Sequence, residues 1–564
     1  MDFRHPYLTE QLIAYIGNKR ALLPFLHQIF SGLAKESSDI PRRGERSGVT
    51  FLDPFAGSGA VSRLARLMGF SVSANDWEFY SWVINSCHLE VSPGDLQSLF
   101  RYRGGLQAVL SGLNSLPALP PERRYVARHY APRKTETADW RTERLFYTRE
   151  NALAIDAIRE RIEEMYPGVP EEPAAFKEKM ALLAPLVYEA ATHTNTSGVF
   201  KACHRGFGGH GRDALGRIMA PIRLAPPILV DSPETCRAFR MNAKDFLEGK
   251  SADICYLDPP YAVHQYGSNY FMLNSIALWD KPPVSDERGP DGRLKRKAGI
   301  RPDWTSTRSA FCYSESALSA MKEVVRAADC RWLVVSYSDE GLIGLEELCD
   351  LLASAGSLSF RSTTYVTYPG GKQSMSRTTR NQEFALVVDR RARPAAGTSV
   401  SAFLRESRIA RLMGAAFDPA RIRASFPTVA DAIEVALGKG AVARLPMRHL
   451  WRFAPDARPP RFDTAEDAER FISLLGGCAV LDARTEIEVL LAIVRNESAG
   501  KEKERLLREI VRKVNTLAHR KYRAVLSETL GMLREYASGE GALGDFRTGL
   551  DRVARKAKLR YGGP

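Results

Sequence analysis

The sequence predicts an open α/β fold with its chemistry at the carboxyl ends of the strands, and three segments carry that expectation. Val49-Thr50-Phe51-Leu52 reads as a short buried strand running into Asp53-Pro54-Phe55-Ala56-Gly57-Ser58-Gly59, after which Val61, Leu64, Ala65 and Leu67 recur at helical spacing. Ser71 to Ala74 reads as a second strand, ending in Asn75-Asp76-Trp77. The apolar run Ile254-Cys255-Tyr256-Leu257 reads as a third, and it ends in Asp258-Pro259-Pro260-Tyr261. Open α/β sheets bind their ligands beyond such strand ends.

The first turn is strand, glycine turn, helix. Gly57 and Gly59 let a ligand approach the backbone, and the helix start presents free N–H groups. A dinucleotide-binding turn would want a third glycine where Ser62 stands, so that reading is disfavoured. Asp76 lies 23 positions after Asp53, the spacing at which an acidic residue meets a ribose in such folds. A turn carboxylate is the plainer alternative.

The tetrapeptide after the third strand suits attack by an exocyclic amine, whose lone pair is delocalised into its ring. Two acceptors holding the amine hydrogens draw the nitrogen towards tetrahedral geometry. Asp258 offers one, and the Pro259 carbonyl, aimed by a fixed φ and free of an N–H, offers the other. Tyr261 supplies a flat face for an extruded base. A Pro-Pro turn with a rim tyrosine is the bland alternative.

Between Asp76 and Asp245, helical periodicity over Leu99–Leu116, Leu145–Met165 and Phe176–Thr192 gives way to a stretch rich in glycine, hydroxyls, amides and cations, His193 to Arg212. In it, Lys201 and Arg205 suit phosphate contact, while Asn195, His204 and Arg212 suit base edges. His193, Cys203, His204 and His210 match no common structural zinc spacing, so no metal is expected. From Lys281 to Arg308, eight Lys/Arg face four acids, and glycine and proline break any helix. This reads as a flexible loop able to clamp a backbone through Lys295, Arg296 and Lys297. Gln265, Tyr266, Asn269 and Tyr270, between that loop and the tetrapeptide, are candidates to fill the gap left by the base or to orient Tyr261.

Beyond Asp389 a run with Arg, Pro, Gly and small polar residues reads as a linker, and the remainder as predominantly helical. Leu506, Leu507, Ile510, Val511, Val514 and Leu517 share one face, while residues 501 to 523 carry nine Lys/Arg against three Glu. A solvated bundle, additional duplex contact, or a platform for a restriction or defence subunit all fit. No Gly-x-x-x-x-Gly-Lys-Ser/Thr loop and no nuclease carboxylate cluster is seen.

At 564 residues and 44% hydrophobic content, the chain has ample core for two to four domains. A net charge of +14 suits a polyanionic partner. Eight scattered cysteines lack any Cys-x-x-Cys pair, which argues against a disulfide framework or zinc ribbon. No leader or membrane-length apolar run is evident, so a cytoplasmic location is the default expectation.

Taken together, Tyr15-Ile16-Gly17-Asn18-Lys19-Arg20, Asp53 to Gly59, Asp76, Asp245-Phe246 and Asp258 to Tyr261 resemble, in that order, the Dam-like N6-adenine-specific DNA methyltransferases. Ser336 to Ile343 and the strand Glu383 to Val388 extend the resemblance, which covers residues 8 to 390. The resemblance implies a doubly wound, Rossmann-like methyltransferase sheet from residues 1–95 and 232–390, an inserted target-recognition region at 96–231, and a helical carboxyl-terminal domain at 400–564. It implies S-adenosylmethionine as cofactor, cradled by Phe55, Gly57 and Gly59 beside Asp53, with Tyr15, Gly17 and Lys19 over its methionine end. Asp76 would bond its ribose and Asp245 its adenine, while Asp258, Pro259, Pro260 and Tyr261 carry the transfer. The implied activity is sequence-specific methylation of adenine N6 in duplex DNA, in restriction-modification or phage defence. RNA bases and protein amides are alternative substrates for such a site, and a non-catalytic DNA-binding subunit is a third possibility.

Overall fold

The computed structural model describes residues 1–38, 48–209, 214–338, 341–362, 383–396, 398–480, 482–519, 522–539 and 543–561. It divides into two compact units, Met1–Val400 and Ser401–Pro564.

The first unit is built on an eight-stranded sheet. Its strands are β1 (Thr50–Asp53), β2 (Ser71–Asn75), β3 (Arg237–Phe239), β4 (Ser251–Leu257), β5 (Asp329–Ser338), β6 (Ser357–Ser362), β7 (Glu383–Asp389) and the two-residue β8 (Ala395–Ala396). They lie in the order β3-β2-β1-β4-β5-β7-β6-β8. The first five are mutually parallel, β7 runs antiparallel to β5 and β6, and β6 is parallel to β8. The chain winds outward from β1 to β3, then returns to place β4 on the other side of β1, in register through Phe51 with Ile254 and Leu52 with Cys255. The strand order therefore reverses between β1 and β4, where the two faces part and a crevice opens at the carboxyl ends. Both the glycine turn and Asp-Pro-Pro-Tyr leave the sheet at this point.

Both faces of the sheet are covered, which explains the continuous apolar runs of β1 and β4. On one face, Leu26, Phe30 and Leu33 of the helix Leu23–Ser38 and Leu64 of the helix Ala60–Leu67 bury Phe51, Ile254 and Tyr256. On the other, the helix Phe79–Glu90 is buried through most of its length, together with the helices Arg149–Met165, Pro173–Thr192 and Phe271–Leu278. The region 96–231 thus shares one core with helices that flank the sheet. Leu99 to Leu116 is not one helix: Gly104 and Gly105, at φ +84° and +88°, divide a short 3-10 turn from the helix Leu106–Asn114. Positive φ is open to glycine and ends helical hydrogen bonding there.

The second unit contains the helices Ala465–Cys478, Ala483–Asn496, Lys501–Thr516, Arg523–Gly539 and Gly544–Tyr561. Leu506, Leu507, Ile510, Val514 and Leu517 are buried, as the periodicity expects, while Val511 is half-buried. A feature not expected is an antiparallel sheet of β9 (Thr428–Val429), β10 (Ala432–Gly438), β11 (Ala441–Arg448) and β12 (Arg452–Phe453). Lys439 and Gly440, both at positive φ, join its central hairpin, and period-two burial of Ile433 and Val435 seats it on the core.

Candidate active site

The crevice at the switch point holds a cavity of about 920 Å³ of empty space. Three segments distant in sequence meet in its wall: the loop Tyr15–Lys19, the turn after β1, and the tetrapeptide after β4. Gly57 has φ +52°, and a Cβ there would stand 2.7 Å from a ring carbon of Tyr15. The glycine is required both by the turn and by the tyrosine packed on it. Gly59, at φ +80°, caps the following helix, and a Cβ there would stand 2.7 Å from Oδ1 of Asn85.

Asp76 acts as a staple between loops. Its Oδ2 accepts the Gly57 N–H at 2.8 Å, and its Oδ1 accepts the Glu78 N–H, also at 2.8 Å. It lines the cavity while fixing the glycine turn to the end of β2. Asp53 is buried and accepts the Ser62 hydroxyl at 2.6 Å. Burial pushes its carboxyl up to about 7, opposed by the Ser62 hydrogen bond and reinforced by Asp258. Glu78, which motif reading missed, also lines the cavity, and burial raises it to about 7 against the hydrogen bond from Asn274.

Lys19 brings the amino-terminal loop to the tetrapeptide. Its Nζ is 3.1 Å from Oδ1 of Asp258 and 5.1 Å from the centre of the Tyr261 ring, and its side chain is 3% exposed. The loop is pinned from an element some 250 residues later: the Tyr266 hydroxyl donates to the Ile16 carbonyl at 3.0 Å, and the Tyr270 hydroxyl accepts the Ile16 N–H at 2.8 Å. Tyr15 stacks on Tyr270 with 5.0 Å between ring centres. Gln265 grips the backbone of Ser309, donating to its carbonyl at 3.0 Å and accepting its N–H at 2.9 Å. Gln265, Asn269 and Tyr270 are buried, so they hold the site's framework and are not free to replace an extruded base. Tyr261 is backed by Tyr337 in an edge-on contact of 5.8 Å, and its carbonyl accepts the Leu342 N–H at 3.0 Å. Phe55 meets Phe311 edge-on at 5.3 Å on the cavity rim.

Asp245 stands elsewhere. It is exposed in the first turn of the helix Ala243–Leu247, whose Phe246 and Leu247 face the core, and Met241 and Ala243 supply this segment's part of the wall.

Among the residues expected to meet nucleic acid, Asn195 is fully buried and structural. Its Nδ2 donates to the Leu145 carbonyl at 2.9 Å and its Oδ1 accepts the Gly208 N–H at 3.2 Å, which leaves it no reach to a base edge. Lys201 and Arg205 are exposed and His204 is half-buried, while Arg212 and His210 lie outside the described residues. Lys295, Arg296 and Lys297 are exposed. Their segment is not the free loop its composition suggests. Arg144, almost wholly buried, donates to Asp286 at 2.8 Å and to the carbonyls of Ser285 at 2.6 Å and Arg296 at 2.9 Å. Arg301 pairs with Asp280 and Asp303, and the Tyr130 hydroxyl donates to the Gly299 carbonyl at 2.8 Å. His193 is buried against Glu189, and among the described residues no three His, Cys, Asp or Glu side chains converge as metal ligands. No described helix is long and apolar enough to cross a membrane.

A doubly wound sheet with a glycine turn and an Asp-Pro-Pro-Tyr corner on either side of its switch point defines the class of amino-group methyltransferases. Residues 15–291, just under half of the chain, match the model of the D12 class N6 adenine-specific DNA methyltransferases. The chain is 29% identical over 360 residues to the type II methyltransferase M.NlaIII of Neisseria lactamica, an alignment covering 64% of this chain and 93% of that one. It is 28% identical over 364 residues to the modification methylase LlaI of Lactococcus lactis subsp. lactis, covering 64% of this chain and 52% of the other. Identity to the type II methyltransferase M.CviAII of Paramecium bursaria Chlorella virus 1 is 28% over 344 residues, 61% of this chain and 89% of the relative.

Proposed function

We propose that this protein methylates the N6 amino group of adenine at a specific duplex DNA sequence, using S-adenosylmethionine, as the modification enzyme of a restriction-modification or phage-defence system. The observation that carries this reading is the juxtaposition of the Asp53–Gly59 turn and Asp258–Tyr261 in one cavity, with Lys19 on Asp258. The relatives, a type II methyltransferase and a modification methylase by name, support the restriction-modification context.

The cavity fits the cofactor's chemistry. The converging loops leave a concave bed suited to a nucleoside-sized ligand, and its buried Asp53 and Glu78 and half-buried Asp76 suit a cationic one. When bound, S-adenosylmethionine supplies an electrophilic sulfonium methyl. In our reading Tyr15, Gly17, Phe55, Gly57 and Gly59 shape its bed, Asp76 offers its remaining lone pairs to the ribose, and Lys19 steers the carboxylate end while ordering Asp258. Asp245 would reach the adenine ring only from the rim. Asp258 and the Pro259 carbonyl hold the two hydrogens of the target amine, Pro260 stiffens the corner, and Tyr261 stacks on the base. Preorganised acceptors and alignment, rather than a strong base, then lower the barrier. Lys201, Arg205 and Lys295 to Lys297 would touch phosphates, and residues 96–231 would read the sequence. The second unit would serve as added duplex contact or as a platform for a restriction or defence subunit.

Transfer of labelled methyl to duplex DNA, RNA and protein in parallel tests the proposal. Label in DNA as N6-methyladenine is the expected result, and label confined to RNA or protein overturns it.

A further inference from the structure

Outside the cavity a strongly basic concave surface runs between the segments 121–149 and 285–294. This open groove is lined by six arginines against three acids. Two of the acids are already committed: both Glu143 oxygens accept backbone N–H groups, from Arg133 and Asp139, and Asp286 pairs with Arg144. Arg124, Arg128, Arg133 and Arg149 are left without a salt bridge to any described carboxylate. Arg124 donates its Nε to the Leu119 carbonyl at 2.6 Å, and Arg149 donates to the Ala127 carbonyl at 2.6 Å. Arg128 and Arg133 are exposed. Burial, and then the cation of Arg124, hold the Arg149 guanidinium below its ordinary range against the opposing pull of Asp156, Glu150 and Glu143. A surplus of positive charge on one concave surface favours an anionic partner.

At Glu143 and Leu294 the groove meets a second depression, lined in part by Trp140. Three cations gather on that indole: the guanidinium of Arg205 stands 4.6 Å from the ring centre, that of Arg141 5.1 Å, and the ammonium of Lys297 5.6 Å. The indole face attracts cations while leaving their N–H groups for another acceptor. Arg205 also ties this ground to the catalytic cavity. It ends the strip beginning at Phe200, whose N–H donates at 2.7 Å to the Asn269 carbonyl, in the short helix that begins with Tyr266 of the cavity wall.

We propose that this groove, from Arg124, Arg128 and Arg133 to the Trp140 shelf, holds the phosphates of the duplex beside the extruded base, and that Trp140 is a positioning residue which keeps Arg205 and Lys297 directed at them. The inference rests on the DNA methyltransferase reading and adds to it a surface and a residue. The arginine fork matches phosphate geometry, and an aromatic shelf under two of the cations keeps them extended without neutralising them. A carboxylate partner would neutralise them.

The test is equilibrium binding of sheared duplex DNA to the full chain over a series of salt concentrations, with S-adenosylmethionine affinity measured on the same preparations. The triple variant Arg124→Gln, Arg128→Gln, Arg133→Gln is expected to bind DNA about tenfold or more weakly at low salt, and to flatten the dependence of log affinity on log salt by about 2 to 3, at ~0.9 for each phosphate no longer neutralised. Cofactor affinity within twofold of wild type shows that the fold is kept. Should the triple variant fail to fold, the single variants at the exposed Arg128 and Arg133 are each expected to flatten the slope by about 1. Trp140→Ala should weaken DNA binding and Trp140→Phe should restore most of it, since a merely structural role would show instead as impaired cofactor binding in both. A methylating wild type whose triple variant keeps the wild-type slope and affinity overturns the groove alone. A wild type that methylates no DNA overturns the functional reading and the groove with it. Preferential binding of duplex RNA, abolished in the triple variant, overturns the assignment to DNA.

Discussion

At the residue scale, Asp258 and its neighbours divide between holding the substrate and holding the cofactor. Asp258→Ala removes the acceptor for the target amine, so methyl transfer should fall below detection while cofactor affinity stays within a few-fold; radiolabel incorporation beside calorimetry decides it, and near-wild-type turnover would remove Asp258 from the chemistry. Asp53 and Glu78 give the site a pH signature. Burial raises both to about 7, above the ordinary carboxylate values that hold in the unfolded chain. The folded state therefore binds more protons between about pH 4 and 7, so the stability these groups confer is present in acid and declines as pH rises through that window. A cationic cofactor reverses the preference, because it favours the ionised carboxylates. Affinity for S-adenosylmethionine should accordingly climb between pH 6 and 8, more steeply than affinity for the uncharged thioether product. Calorimetry at pH 6, 7 and 8 checks this, and Asp53→Asn should flatten the profile. Asp76 joins two loops through two backbone bonds, so Asp76→Ala should cost about 1–3 kcal/mol in both thermal stability and cofactor binding. A loss in binding with none in stability would make it a ligand contact only.

At the element scale, the amino-terminal loop is positioned by the short helix after the tetrapeptide. Tyr270→Phe deletes the hydroxyl that accepts the Ile16 N–H. It should lower kcat about fivefold, the kinetic equivalent of ~1 kcal/mol, with little change in melting temperature. Rapid single-turnover measurement separates this from slower product release. The glycine turn has less tolerance. Gly57→Ala meets both a positive φ, worth ~1–2 kcal/mol for an L residue, and the Tyr15 ring. Cofactor affinity should fall at least about tenfold. Combining Gly57→Ala with Tyr15→Ala would relieve the clash but not the backbone strain, so only partial recovery is expected. The segment 281–308 shows how composition can mislead about an element. Its cations and glycines read as a free loop, yet Arg144 and Arg301, both buried, tie it down through carboxylates and carbonyls.

On the scale of the whole molecule, each compact unit has its own buried core, one centred on the sheet and its covering helices and the other on the carboxyl-terminal helices. Calorimetry of the full chain is expected to show two transitions, and S-adenosylmethionine should raise only the one belonging to residues 1–400, by mass action on the folded state that binds it. A single transition shifted as a whole would mean that the units unfold together. Within the first unit, residues 96–231 share their core with the helices Phe79–Glu90 and Phe271–Leu278. Substitutions deep in that region, such as Ile155→Ala, should therefore lower the stability of the catalytic unit by the ~2–5 kcal/mol usual for a buried aliphatic side chain, besides any effect on sequence choice.

The parts of this protein legible in its sequence are those whose physics is local. The glycine turn, the strand ends carrying Asp53, Asp76 and Asp258, and the helical faces around Leu506 follow from short-range periodicity and backbone preference, and the motif order points to the family. The second unit's hairpin is also locally encoded, in the alternation around Ile433 and the glycines beside Lys439, but the helical patterns around it hide the signal. Tertiary structure alone decided the rest. Whether Asn195 reads a base or braces a loop, whether Tyr270 fills a gap or anchors Ile16, and whether Asp245 reaches the cavity depend on burial and on partners far along the chain, and neither is written in neighbouring residues. The Ile16–Tyr270 bond spans 254 positions, and Lys19 meets Asp258 across a comparable interval. Such pairs are brought together by the reversal of strand order between β1 and β4, which the packing of the whole sheet imposes and no single segment can specify.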